Sequence, residues 1–162
     1  MILGAHLIIS CYGFWLPNDP RGSWSDFVRS WELFRYGPPT KVDATDSVAH
    51  VRHDRERREA AKAALMYPPV VFDGLQARAV GTAFAMMTAK SGYKIYACSI
   101  LNDHSHLVLG RHHYDFMQVM NLLKGAASTR LQVEGIHPLR NFPKPDGSLP
   151  SPRGEPGMEG VH

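Results

Sequence analysis

Cysteine is almost absent: Cys11 and Cys98 are the only two in 162 residues. No Cys-x-x-Cys spacing occurs, which removes thiolate zinc sites and dithiol redox motifs from consideration. Both cysteines stand in apolar, strand-like runs and are expected to be small buried residues of a reducing compartment. Long hydrophobic runs are missing too, none approaching the ~18 residues that span a bilayer. The opening Met1-Ile-Leu-Gly-Ala-His6 lacks a basic n-region, so no signal peptide is read. A cytoplasmic protein with no membrane partner is expected. A strong charge of either sign is also lacking: 18 Lys+Arg stand against 15 Asp+Glu, with a sequence pI of about 9.0. That mild basic bias permits a polyanionic partner without demonstrating one. With 44% hydrophobic and 20% charged residues, the chain has the make-up of one soluble domain with a single real core.

What is present centres on Ile100-Leu-Asn-Asp-His-Ser-His-Leu-Val-Leu-Gly110. After the polar turn Asn102-Asp103 it reads as a strand, and a strand sends alternate side chains to the same face. His104 and His106 therefore project together, about 7 Å apart along the strand, and two such imidazoles can lean onto one divalent metal. Ser105, Leu107 and Leu109 share the other face, and Val108 continues the histidine face, so a largely buried strand is expected. Two satisfied polar histidines at a strand entrance would read the same way.

Around this stretch the chain alternates between element types. Residues 5–14 form a first strand of the nearly continuous apolar kind found mid-sheet. His6 lies on one face of it with Ile8, Ser10 and Tyr12. It could approach a metal site beside the histidine strand, or be a buried histidine bonded to backbone. Asp54 caps a charged, Ala-rich helix that Pro68-Pro69 stops. A second helix runs from near Asp73 to about Lys90, with Ala79, Val80, Ala83, Phe84 and Met87 as its core stripe. Gly92 ends it, and Tyr93–Ile100 is the second strand, hairpin-paired with the histidine strand. Asp115 caps a third helix, with Gln118 placed as in a capping box. Phe116, Val119, Met120, Leu123 and Ala127 are its buried face. Residues 135–162 are Pro- and Gly-rich and read as a loop or tail.

Residues 15–53 are irregular, and Trp15, Arg21, Trp24, Arg29, Trp31 and Arg35 interleave aromatic planes with cations. That mixture suits stacking on unpaired bases and gripping phosphates. Tryptophans that anchor a long loop to the core would give the same pattern. The order strand–helix–strand–strand–helix lacks only a last strand to be a split βαβ, ferredoxin-like plait. The expected class is α+β, with an antiparallel sheet and helices on one face. Residues 1–134 would be the single domain, with 15–70 as an inserted loop and helix.

Asn102-Asp-His-Ser-His-Leu-Val-Leu109, followed by Met120-Asn-Leu-Leu-Lys-Gly-Ala-Ala-Ser128, resembles the HUH tyrosine transposases. The nearest likeness is to the REP-associated and related single-domain insertion-sequence enzymes, over roughly residues 1–150. The resemblance implies DNA transposition: metal-dependent cleavage and rejoining of single-stranded or hairpin DNA through a phosphotyrosine. By that likeness His104 and His106 on a central strand hold Mg²⁺ or Mn²⁺ with a third polar ligand, for which Gln118 and His6 are candidates. The metal would neutralise charge developing on the scissile phosphate, and a tyrosine hydroxyl would attack it. Lys124 matches the helix lysine of the family pattern and would grip a phosphate. Arg21, Trp24, Arg111 and Arg130 join it as candidate DNA contacts. A homodimer is a further implication.

Two departures stand out. Ser105 occupies a position that is usually hydrophobic in the family, although it faces away from the metal. The family nucleophile lies downstream of the Lys-Gly helix, whereas no tyrosine follows Tyr114 in this sequence. Tyr114 is therefore the candidate nucleophile, and a non-catalytic DNA-hairpin-binding module of the same fold is the alternative. Relatives continue after Pro-Ser-Pro with a Trp-containing run. Codons for Met158-Glu159 read one base later spell Trp, so residues 153–162 are expected to come from a frameshift near Pro152. Loss of the last strand would bare sheet backbone and favour pairing or dimerisation there.

Overall fold

The computed structural model describes residues 3–17, 19, 31–37 and 53–143. Two compact units emerge, one holding the residues up to Ile9 and from Val71 onward, the other Ser10–Val70.

The first unit is α+β. Its sheet contains β1 (Gly4–Ser10), β2 (Ile95–Ile100) and β3 (His104–Gly110), in the order β1-β3-β2. β2 and β3 pair antiparallel around the expected Asn102-Asp103 turn, with Cys98 opposite Leu107, Ser99 opposite His106 and Ile100 opposite Ser105. The turn is closed by a bond of 2.8 Å from Leu101 N–H to His104 O. β1 runs antiparallel to β3 on its other side: Leu3 O accepts from Arg111 N–H at 3.2 Å, while His6 meets His106. Gly4 permits that approach, because a Cβ there would stand 2.6 Å from Leu109 O. Between Ile95 and Ala97 the β2–β3 register shifts. The irregularity bends the end of an edge strand, a common place for a bulge.

Two long helices cover one face. α3 (Gly74–Ser91) opens on a complete capping box: Asp73 accepts from Gln76 N–H at 2.8 Å, and the Gln76 side chain accepts from Asp73 N–H at 3.0 Å. It closes at Gly92 with φ 70°, the left-handed conformation that glycine adopts without a Cβ penalty. α4 (Phe116–Val133) is capped by Asp115, which accepts from Gln118 N–H at 2.8 Å. Leu7, Ile9, Ala79, Val80, Phe84, Tyr93, Leu107, Leu109, Val119, Leu123 and Leu131 make the core between helices and sheet. Both expected helix stripes point into it. Phe116, Met120, Ala127 and Met87 pack at its margin.

The second unit has a smaller core of Leu16, Leu33 and Ala61, with Tyr36 and Leu65 against it. It includes α1 (Trp31–Phe34), a short helical turn inside the stretch expected to be irregular, and α2 (Arg55–Ala63), capped by Asp54 as expected. Tyr12 ties its ends together: its carbonyl accepts from Val70 N–H at 2.9 Å and its hydroxyl from Tyr67 N–H at 3.3 Å.

Four expectations need correction. β1 stops at Ser10 and is an edge of the described sheet, because β3 takes the middle. β3 is not buried on both faces: Ser105, Leu107 and Leu109 are buried, but Val108 is 38% exposed since the helices cover only the opposite side. Cys98 is exposed, being on edge strand β2, and Cys11 is only half-buried. The Pro/Gly-rich segment is not all loose tail. Ile136 packs on the core and its carbonyl accepts from Gln76 Nε2 at 2.9 Å.

Candidate functional site

Alternation along β3 sends His104, His106 and Val108 to the face opposite α3 and α4, while β1 adds His6 and Ile8 to that face beside them. Three imidazoles from two adjacent strands are thereby gathered on one face of the sheet. His104 Nε2 lies 2.9 Å from His106 Nε2. His6 Nε2 lies 2.9 Å from the other nitrogen of His106, Nδ1. His104 Nδ1 in turn lies 2.5 Å from Asp103 Oδ1. The rings of His6 and His106 are near-parallel, 16° apart with centroids at 5.0 Å, whereas those of His104 and His106 meet edge-on at 4.7 Å and 76°. Desolvation, then the neighbouring His104 and His6, push the His106 imidazole below its ordinary pKa and favour its neutral form.

A neutral imidazole carries one donor and one acceptor nitrogen, so the order of contacts sets the protons. An ionised carboxylate only accepts, which puts a proton on His104 Nδ1. With all three rings neutral, His104 Nε2 accepts from His106 Nε2–H, and His106 Nδ1 accepts from His6 Nε2–H. Every nitrogen between His6 and Asp103 is paired. The two facing Nε2 atoms stand at about the separation of cis ligands on one metal at roughly 2.1 Å. His6 contacts the far side of His106 rather than this pair. Among the described residues no group of three or more His, Cys, Asp or Glu is arranged to hold a metal ion. The protein contribution at this point is therefore a pair of nitrogens. Imidazole is the preferred ligand of softer divalent ions, and Mg²⁺ or Mn²⁺ at such a pair would take the rest of its shell from water or phosphate oxygens.

The remaining candidates are dispersed. Tyr114 is half-exposed in the turn between β3 and α4, its ring 4.2 Å from that of His113 and 5.1 Å from that of His112, and its N–H donates to His112 Nδ1. Gln118 is exposed on the first turn of α4, where its backbone N–H is held by Asp115. Lys124 is exposed at mid-helix. Arg111 is exposed just past β3, and Arg130 pairs with Glu134 at 2.5 Å. Arg21 and Trp24 lie outside the described residues. Two participants escaped sequence reading, Asp103 as the partner of His104 and Ser99 as the cross-strand neighbour of His106. The Asp-His dipeptide is a signal for the first, although by its sequence alone it marks only a turn.

No family model matches the chain, and no curated protein matches it either.

Proposed function

We propose that the chain is an HUH-type DNA strand transferase, built on the greater part of a ferredoxin-like plait and acting in the cytoplasm on single-stranded or hairpin DNA. The observation that carries this reading is the pair of Nε2 atoms of His104 and His106, 2.9 Å apart on the middle strand, on the sheet face opposite α3 and α4. The order of strands supports the plait, since β3 lies between β1 and β2, the two strands that α3 separates in sequence. A Mg²⁺ or Mn²⁺ ion held by that pair would polarise a phosphoryl oxygen for attack by a tyrosine hydroxyl. Of the six tyrosines Tyr114 is the one closest downstream of the pair in sequence, eight residues past His106. Lys124 and Arg111 would take phosphates, with Arg21, Trp24 and Arg130 further along the bound strand, and two copies would act together.

A second reading is favoured by the small donor set, two nitrogens rather than three or more ligands. In it the same face binds a DNA hairpin without cleaving it. One experiment separates the two. The protein is mixed with labelled hairpin DNA and Mn²⁺ and run on a denaturing gel. A DNA-linked band that His104→Ala and His106→Ala abolish supports the transferase, and Tyr114→Phe then tests the nucleophile. Salt-sensitive gel-shift binding without the band supports the binding module. Neither signal would refute both.

A further inference from the structure

We infer that Asp103 and His6 are positioning residues for the histidine pair, Asp103 fixing the tautomer of His104 and His6 switching with that of His106. This rests on the metal-site reading above. Metal-ligating histidines give their second nitrogen to a carboxylate or other acceptor, which orients the ring and leaves the first nitrogen's lone pair for the ion. Asp103, 2.5 Å from His104 Nδ1, already does this. A neutral His104 held in this way presents an unprotonated Nε2 before any ion arrives. His106 does not, because in the network described above its Nε2 carries the proton that pairs with His104 Nε2, 2.9 Å away.

For both nitrogens to face one ion, His106 must move its proton from Nε2 to Nδ1. Its Nδ1 faces His6 Nε2 at 2.9 Å. His6 must then change from donor to acceptor at Nε2, carrying its own proton on Nδ1 instead. Three neutral imidazoles begin with three ring protons and end with three, so the change is tautomeric and releases no net charge. An imidazole or an amide can fill the His6 position, since either offers a donor or an acceptor there. A lysine offers only donors. The near-parallel planes of the His6 and His106 rings keep the two facing nitrogens in line during the change.

The test has two readouts on the full chain. Long-range nitrogen–proton NMR of the metal-free protein should show His104 as Nδ1–H and His106 as Nε2–H. Asp103→Ala should abolish the preference at His104. Mn²⁺ affinity, read from the electron paramagnetic resonance of free ion, should fall about 10–100-fold in Asp103→Ala and in His6→Phe. His6→Phe keeps an aromatic ring but has no nitrogen, and His6→Gln should restore affinity. Wild-type tautomers opposite to these, or His6→Phe binding Mn²⁺ as wild type does, would overturn the inference while leaving the metal site standing. Failure of the wild type itself to bind Mn²⁺ would overturn the metal site and this inference with it.

Discussion

His6 of β1 and His106 of β3 lie edge to edge, joined by Nε2 and Nδ1 at 2.9 Å, their ring centroids 5.0 Å apart and their planes 16° from parallel. That proximity depends on how closely β1 runs beside β3, and Gly4 sets the approach. Its position leaves 2.6 Å between a Cβ and Leu109 O, shorter than a real carbon tolerates. Backbone stands on both sides of that contact, so no flexible side-chain tip can yield.

Gly4→Ala is therefore expected to push β1 outward and to cost about 1–3 kcal/mol, the range for overpacked interior sites. Urea unfolding would measure the loss, and the contact between His6 and His106 should weaken with it. Stability equal to wild type would mean that β1 does not run this close to β3.

Much of this arrangement was legible in the sequence because it rests on short periods. Alternation alone put His104 and His106 on one face and Ser105 on the other, and helical spacing found Ala79, Val80, Phe84, Val119 and Leu123. What periodicity cannot show is which strand lies next to which. His6 joins the group only because β1 pairs with β3, a contact between residues 100 apart in sequence. The same limit makes β1 look mid-sheet and Cys98 look buried: an apolar run has no mark that distinguishes a central strand from an edge. Ile136 was assigned to the tail on composition, yet one carbonyl bonded to Gln76 and one side chain on the core hold it in place.

Leu107 and Val108 test the two-faced nature of β3. Leu107 is 0% exposed and Val108 38%. Leu107→Ala should cost about 2–5 kcal/mol and Val108→Ala well under half of that, because cavity formation penalises only the buried site. Denaturant midpoints of the two variants give the comparison. Equal losses would mean that the histidine face is covered by protein in solution.

Gln76 has two duties, accepting from Asp73 N–H at the start of α3 and donating to Ile136 O. Asp73→Ala removes only the cap and should cost about 0.5–2 kcal/mol. Gln76→Ala removes the reciprocal half of the box and also frees the Ile136 carbonyl. Amide exchange around Ile136 should therefore accelerate in Gln76→Ala, and much less in Asp73→Ala. Equal acceleration in both would show that the cap alone holds the segment.

His137 supplies the clearest pH dependence outside the histidine group. Leu139 N–H donates to its Nδ1 at 3.2 Å, so that nitrogen holds a lone pair and the ring is neutral with its proton on Nε2. Burial pushes its pKa below the ordinary 6.5. A lowered histidine pKa means that the unfolded chain binds the proton more readily than the folded one. Stability from this residue is thus fully present above about 6.5 and declines as pH falls from there through the lower folded value. His106, also lowered, contributes with the same sign. His137→Asn keeps an oxygen that can accept from the N–H two residues on, but it does not titrate. Unfolding free energy should therefore fall less steeply between pH 7 and pH 5 in the variant than in wild type. The His137 ring signals should titrate with a midpoint below 6.5, and a midpoint at or above that value would show that its Nδ1 is not committed to Leu139.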